Sequence, residues 1–129
     1  MGQLPEVMKS VDLLRFTLPG TTPSGKNAVL ITRTGQRYPA PRFKKWRDSV
    51  MPILQPLASP GPLLSNNLSI EVLYWPGDLR RRDVPGMVDA LFHVIEKAGI
   101  VRDDAQLKHV HFWTQELDRT NPRVEVSLW

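Results

Sequence analysis

Three arginines, Arg80, Arg81 and Arg82, run directly into Asp83, and a helical pattern later the chain carries Asp103 and Asp104. Adjacent guanidiniums attract a polyanion whereas carboxylates repel one. A segment that mixes them either neutralises itself or holds divalent metal ions against phosphate, and the second arrangement is that of a nuclease. At about 100° per residue, position 85, Asp89, Phe92 and Glu96 share one helix sector, with His93 beside Asp89. Asp83 precedes this helix, where an aspartate has two readings: an N-cap accepting a backbone N–H, or a metal ligand. A short turn would bring Asp103 and Asp104 back beside Asp83 or Asp89. Carboxylates gathered there repel one another unless a cation sits among them. Mg²⁺ or Mn²⁺ prefers such hard oxygen ligands, activates water and stabilises a leaving phosphodiester oxygen. Asp83, Asp89 and the Asp103-Asp104 pair are the carboxylates available to such a site. Arg80, Arg81 and Arg82 would hold the DNA backbone, with Lys26 and Lys108 as further contacts.

Other chemistries find less support in the residues. His93, His109 and His111 are the histidines available to zinc, but no His-Glu-x-x-His spacing joins them. No serine stands in a nucleophile-elbow pattern, and no glycine loop of phosphate-cradling type is present. Cysteine is absent, which excludes a disulfide framework, a thiolate nucleophile and Cys-ligated zinc. The 17 Lys+Arg outnumber the 13 Asp+Glu, giving a formal charge of +4, which suits a nucleic acid, an anionic surface or an acidic protein as partner. No apolar run approaches the roughly 20 residues of a membrane span, and the N-terminus lacks signal-peptide order. A soluble, cytoplasmic protein is expected.

The elements that must position these groups follow from periodicity. Length and apolar content fit one domain over residues 1–129, with Met1 to Ser10 a loose arm. Val11 to Leu18 is a strand candidate ended by Pro19-Gly20. A turn-rich loop from Thr21 to Asn27 follows, then a hairpin of Ala28 to Thr32 and Gln36 to Tyr38 about Arg33-Thr34-Gly35. Phe43, Trp46, Val50, Ile53 and Leu57 recur at helical spacing, predicting a helix over 41–57 that Pro52 should kink or end early. Its basic residues are either a nucleic-acid contact or a solvated face. Leu57 to Asn67 reads as an internal linker, and Leu68 to Trp75 as a strand.

Val84, Met87, Val88, Leu91, Val94, Ile95 and Ala98 form the longest apolar stripe, with Gly99 as the helix stop. Val110 to Leu117 and Arg123 to Leu128 are the last strand candidates, joined hairpin-fashion through Asp118 to Pro122. The order predicts an α+β fold, a small mixed sheet with two main helices packed on it.

Arg80-Arg81-Arg82-Asp83, then Asp89-Ala90-Leu91, Lys97-Ala98-Gly99-Ile100 and Asp103-Asp104-Ala105-Gln106, resemble the RusA-type Holliday junction resolvases of phages. Phe16-Thr17-Leu18-Pro19 and Pro23-Ser24-Gly25-Lys26-Asn27 are similar to that family's first strand and Pro-Ser-Asn loop. The resemblance implies a RusA-like fold and a homodimeric endonuclease, phage or prophage encoded. It would bind four-way junction DNA and make paired nicks near the crossover with Mg²⁺ or Mn²⁺. It also implies metal ligands at Asp83 and Asp104. The family's second aspartate falls at Pro85 in this chain, and Asp89 stands where the family commonly has a lysine. Asp89, one turn beyond position 85 on the same helix face, is the candidate replacement ligand. A branched-DNA-binding protein of the same fold that has lost cleavage at Pro85 is the alternative.

Overall fold

The computed structural model describes residues 12–25 and 29–129. The expected N-terminal arm and Lys26 lie outside the described residues. The chain order is β1 (Leu14–Pro19), β2 (Val29–Ile31), β3 (Arg37–Pro39), α1 (Pro41–Leu54), β4 (Leu68–Trp75), α2 (Val84–Lys97), β5 (Leu107–Thr114) and β6 (Arg123–Leu128). Short 3₁₀ turns follow α1 at Gln55–Ala58 and precede β5 at Asp104–Gln106. The fold is α+β, with a four-stranded mixed sheet in the order β1-β6-β4-β5 and a separate β2-β3 ribbon.

One face of the main sheet carries the core. In β4 the alternate residues Leu68, Ile70, Val72 and Tyr74 are buried, and Val72 stands opposite Val126, itself opposite Phe16. Period-two alternation therefore puts these apolar side chains on one side. The stripe of α1 (Phe43, Trp46, Val50 and Leu54) and that of α2 (Met87, Leu91, Val94 and Ile95) join the same cluster. This is the packing the two helical periodicities require.

α1 ends three residues short of the expected boundary and finishes in the 3₁₀ turn. Pro52 lacks the N–H that would bond back to residue 48, which weakens the last turn and explains the early end. α2 matches its expected span and stops where Gly99 adopts φ +84°. The ribbon turns through Gly35, also at positive φ, with the Gly35 N–H donating to the Thr32 carbonyl at 3.0 Å.

The last two strands depart from expectation in two ways. β5 begins at Leu107, three residues before the expected start, because its pairing with β4 is parallel and opens opposite Leu68. It also forms no hairpin with β6. Parallel β5 reaches β4 through α2 and occupies one edge of it, so β6 pairs antiparallel with the other edge and with β1. Local alternation reads the strands but not which edge of β4 remains open.

Candidate metal centre and arginine cleft

α2 is the bar on which the candidate site is built, with a different charge at each end. At its N-terminus Asp83 is the N-cap residue, yet its side chain makes no capping hydrogen bond. Its carboxylate instead accepts the Ser24 hydroxyl at 3.4 Å, from the loop after β1. The N-cap reading therefore describes Asp83's backbone position and not its carboxylate. Pro85 falls in the first helical turn, where a missing N–H is no loss.

Small residues let that loop approach. A methyl group at Gly86 would lie 2.0 Å from Ser24 Oγ and 2.6 Å from Asp83 Oδ2. One at Gly25 would lie 2.9 Å from the Ala90 nitrogen and 3.0 Å from Asp89 Cβ. Gly86 and Gly25 thus allow the Pro23-Ser24-Gly25 segment to rest on the first turns of α2, beside Asp83 and Asp89. A glycine two residues into an otherwise strong helix pattern is the sequence signal for this docking.

The arginines divide. Arg82 donates through Nη2 to both oxygens of Asp78, at 3.0 and 2.9 Å. Asp78 also accepts the Arg80 backbone N–H at 3.0 Å, so it shapes the strand-to-helix turn. Arg80 and Arg81 are exposed and have no carboxylate within ion-pair distance among the described residues. Lys108 is exposed on β5, two positions beyond the Ala105-Gln106 end of the 3₁₀ turn.

The C-terminal end of α2 is acidic. The connection after Gly99 folds back so that the Asp104 N–H donates to Glu96 Oε1 at 2.7 Å. Asp103 caps the 3₁₀ turn by accepting the Ala105 N–H at 2.9 Å. Ligand oxygens of Glu96, Asp103 and Asp104 lie within 4.8 Å of one another, the one such group of three among the described residues. Asp83, Asp89 and Asp104 do not converge to that distance as a trio. Asp89 nevertheless acts on Asp104 through its charge: partial burial, then Glu96, then Asp103, with Asp89 adding, raise the Asp104 carboxyl above its ordinary value. Such a set of hard, mutually repelling oxygens fits a divalent cation. Sequence pattern alone does not single out Glu96 and Asp103 as ligands, although Glu96 shares the helix sector of Asp89.

Gln106 holds this acidic corner in place. It is 5% exposed. Its Oε1 accepts the backbone N–H groups of Arg102 and Asp103 at 2.8 and 3.1 Å. Its Nε2 donates to the carbonyls of Leu63 and Ser65 at 2.7 and 3.0 Å. The glutamine of the Asp-Asp-Ala-Gln motif therefore positions the two aspartates before it.

The histidines do not gather. His93 packs edge-on against Phe43 at 5.4 Å, and its pKa is lowered by burial, then by Arg47 and Lys97. His109 bonds Asn67 at 3.0 Å, and His111 stacks on Trp129. Each has a local structural role.

Fold and site together define a small α+β protein with a carboxylate cluster and an arginine-lined surface on one helix. No protein-family model matches the chain. It is similar to the crossover junction endodeoxyribonuclease RusA of Aquifex aeolicus (strain VF5), at 25% identity over 104 residues, which cover 81% of this chain and 79% of that protein. The resemblance carried by the arginine and aspartate motifs thus extends, at a distance, over most of the chain. No helix among the described residues is long and apolar enough to cross a membrane.

Proposed function

We propose that the protein is a metal-dependent, structure-selective endodeoxyribonuclease that resolves four-way DNA junctions by paired nicks near the crossover. The observation that carries this is the convergence of Asp104 with Glu96 and Asp103, under the added field of Asp89. Like charges are packed there at a cost that a bound cation would offset. The similarity to a crossover junction endodeoxyribonuclease supplies the substrate class.

In this reading Asp83, Asp89 and Asp104 are the catalytic carboxylates; Glu96 and Asp103 join Asp104 at the C-terminal end of α2, while Asp83 stands at its N-terminal end. Mg²⁺ or Mn²⁺, when bound, would supply charge neutralisation and an activated water. Ser24 orients the Asp83 carboxylate. Arg80 and Arg81 take the phosphate backbone, with Lys26 and Lys108 as further contacts, while Arg82 supports the turn that presents them. A homodimer would give two symmetric sites for paired cuts.

A second reading rests on one specific residue. Pro85 offers no carboxylate where RusA-type enzymes have one, so the protein would bind branched DNA without cutting it. The deciding experiment incubates a synthetic four-way junction and a linear duplex of the same sequence with the protein in Mg²⁺, Mn²⁺ or EDTA. Paired, metal-dependent nicks in the junction alone are expected. Tight junction binding without nicks in either metal would establish the second reading.

A further inference from the structure

The β2-β3 ribbon pairs with no strand of the main sheet and shows both of its faces to solvent. Residues directly opposite one another in an antiparallel pair share a face. Val29 stands opposite Pro39 and Ile31 opposite Arg37, so these four form one face, while Leu30 and Tyr38 form the other. Val29, Leu30, Ile31 and Tyr38 are 52%, 39%, 62% and 43% exposed. A ribbon that covers its own protein, or docks on one partner surface, is apolar on a single face. One that is apolar on both suits a space walled by apolar surface on two sides.

Charge narrows what that space is. Between Asp12 and Asp48 the sequence holds no Asp or Glu. Arg33 at the ribbon's turn and Arg37 on its second strand are exposed, and neither meets a carboxylate within ion-pair distance among the described residues. A second copy of this chain would set those cations against one another. Each face also runs only about 10 Å along the strands, far short of the roughly 800 Å² per partner of a stable interface. A nucleic acid supplies phosphates for the arginines and apolar base faces for the ribbon. The base of the ribbon adjoins the candidate site as well: Val29 and Pro39 line a cavity of about 280 Å³ with Gly25, Phe43, Asp89 and His93.

A linear duplex covers its base faces by stacking, and those at a branch point are uncovered when the arms separate. Apolar side chains inserted between base steps hold such steps apart. We propose that the β2-β3 ribbon is a wedge that enters the branch point of DNA. Val29 and Ile31 pack on base pairs at one side, Leu30 and Tyr38 on those at the other, and Arg33 and Arg37 take the flanking phosphates. The wedge makes branched DNA the preferred substrate and brings a strand beside Asp89. The inference rests on the junction-nuclease reading above and deepens it by naming the element that selects the branch.

The test uses the full chain in EDTA, which removes divalent metal, and compares affinity for a labelled four-way junction with that for a linear duplex of the same sequence. Leu30→Ser and Ile31→Ser, both at exposed positions, should each lower junction affinity by about tenfold, the order of one aliphatic side chain returned to water. Duplex affinity and Tm should stay at wild type, and Ile31→Leu should keep the junction preference. Arg33→Ala should instead weaken binding to both DNAs and reduce the salt dependence of log K by about one unit. 2-Aminopurine at the crossover should brighten when wild type binds, and less with Ile31→Ser. A junction-to-duplex ratio unchanged in both serine variants overturns the wedge alone. So does the loss of a dimer in those variants with DNA affinity intact, which would make the ribbon an interface between copies. Equal affinity of the wild type for junction and duplex overturns the junction-nuclease reading and the wedge with it.

Discussion

The two ends of α2 are built from opposite materials. At the N-terminal end, cations line an open cleft and the nearby carboxylate, Asp83, is approached by a hydroxyl from another loop. At the C-terminal end, three carboxylates crowd one corner and a buried glutamine clamps the backbone beneath them. The first is arranged to attract phosphate, the second to attract cations. In the proposed reading the two ends act on different parts of one DNA, because the 14 residues of α2 set them about 20 Å apart.

Breaking the acidic end should have the largest effect. Asp104→Asn is expected to lower nicking on the order of 10²–10³-fold, as loss of a group that stabilises developing charge does. Junction affinity measured in EDTA should stay close to wild type, since the cationic end is untouched. Asp89→Asn sharpens the comparison. Full activity there, with Asp83→Asn and Asp104→Asn dead, would remove Asp89 from the ligand set and rule out its substitution for position 85.

Gln106→Ala tests the clamp without touching a carboxylate. It leaves the backbone groups of four neighbours unpaired, so urea denaturation should show a loss of about 1–3 kcal/mol. Metal affinity, read by titration calorimetry, should fall by about 10–100-fold because the residues behind the ligands no longer hold them. Unchanged metal affinity would mean that the aspartates find their places without it.

At the cationic end the expected effects are smaller. Arg80→Ala and Arg81→Ala should each weaken DNA binding uniformly across sequences and reduce the salt dependence of log K by about one unit. Arg82→Ala should instead lower stability, because its guanidinium ties the turn to Asp78.

The smallest effect is a pH dependence of stability. Asp104 has a folded pKa raised above its unfolded value, so the protonated form favours the fold. That contribution is complete below the unfolded value of 3.8 and is lost as pH rises through the raised folded value. In EDTA, Glu96→Gln keeps the acceptor for the Asp104 N–H and removes one repelling charge. It should raise Tm at neutral pH by about 1–3 °C, and Mn²⁺ should stabilise it less than wild type. A Tm below wild type in EDTA would show that Glu96 charge is not repelling Asp104.

Local pattern sufficed for much of the molecule. The stripe from Val84 to Ala98, the stop at Gly99 and the strands at Leu68–Trp75 and Arg123–Leu128 are recoverable because period 3.6 and period 2 are properties of short stretches. The adjacency of the arginines to Asp83, and the pairing of Asp103 with Asp104, are likewise plain in the chain. The glycine at position 86 could be seen, though not what it makes room for.

What only the tertiary structure decided is everything that depends on sequence separations of tens of residues. The placement of β6 between β1 and β4 follows from which edge of β4 is left after α2 carries the chain to β5. The choice of Glu96 as Asp104's neighbour follows from how the turn after Gly99 is pinned to Leu63 and Ser65. The cleft exists because the Thr22 loop, α1 and the arginine segment meet over one apolar floor. A chain specifies its own periodicities residue by residue, but the electrostatic field at a carboxylate is a sum over whatever folding brings near it.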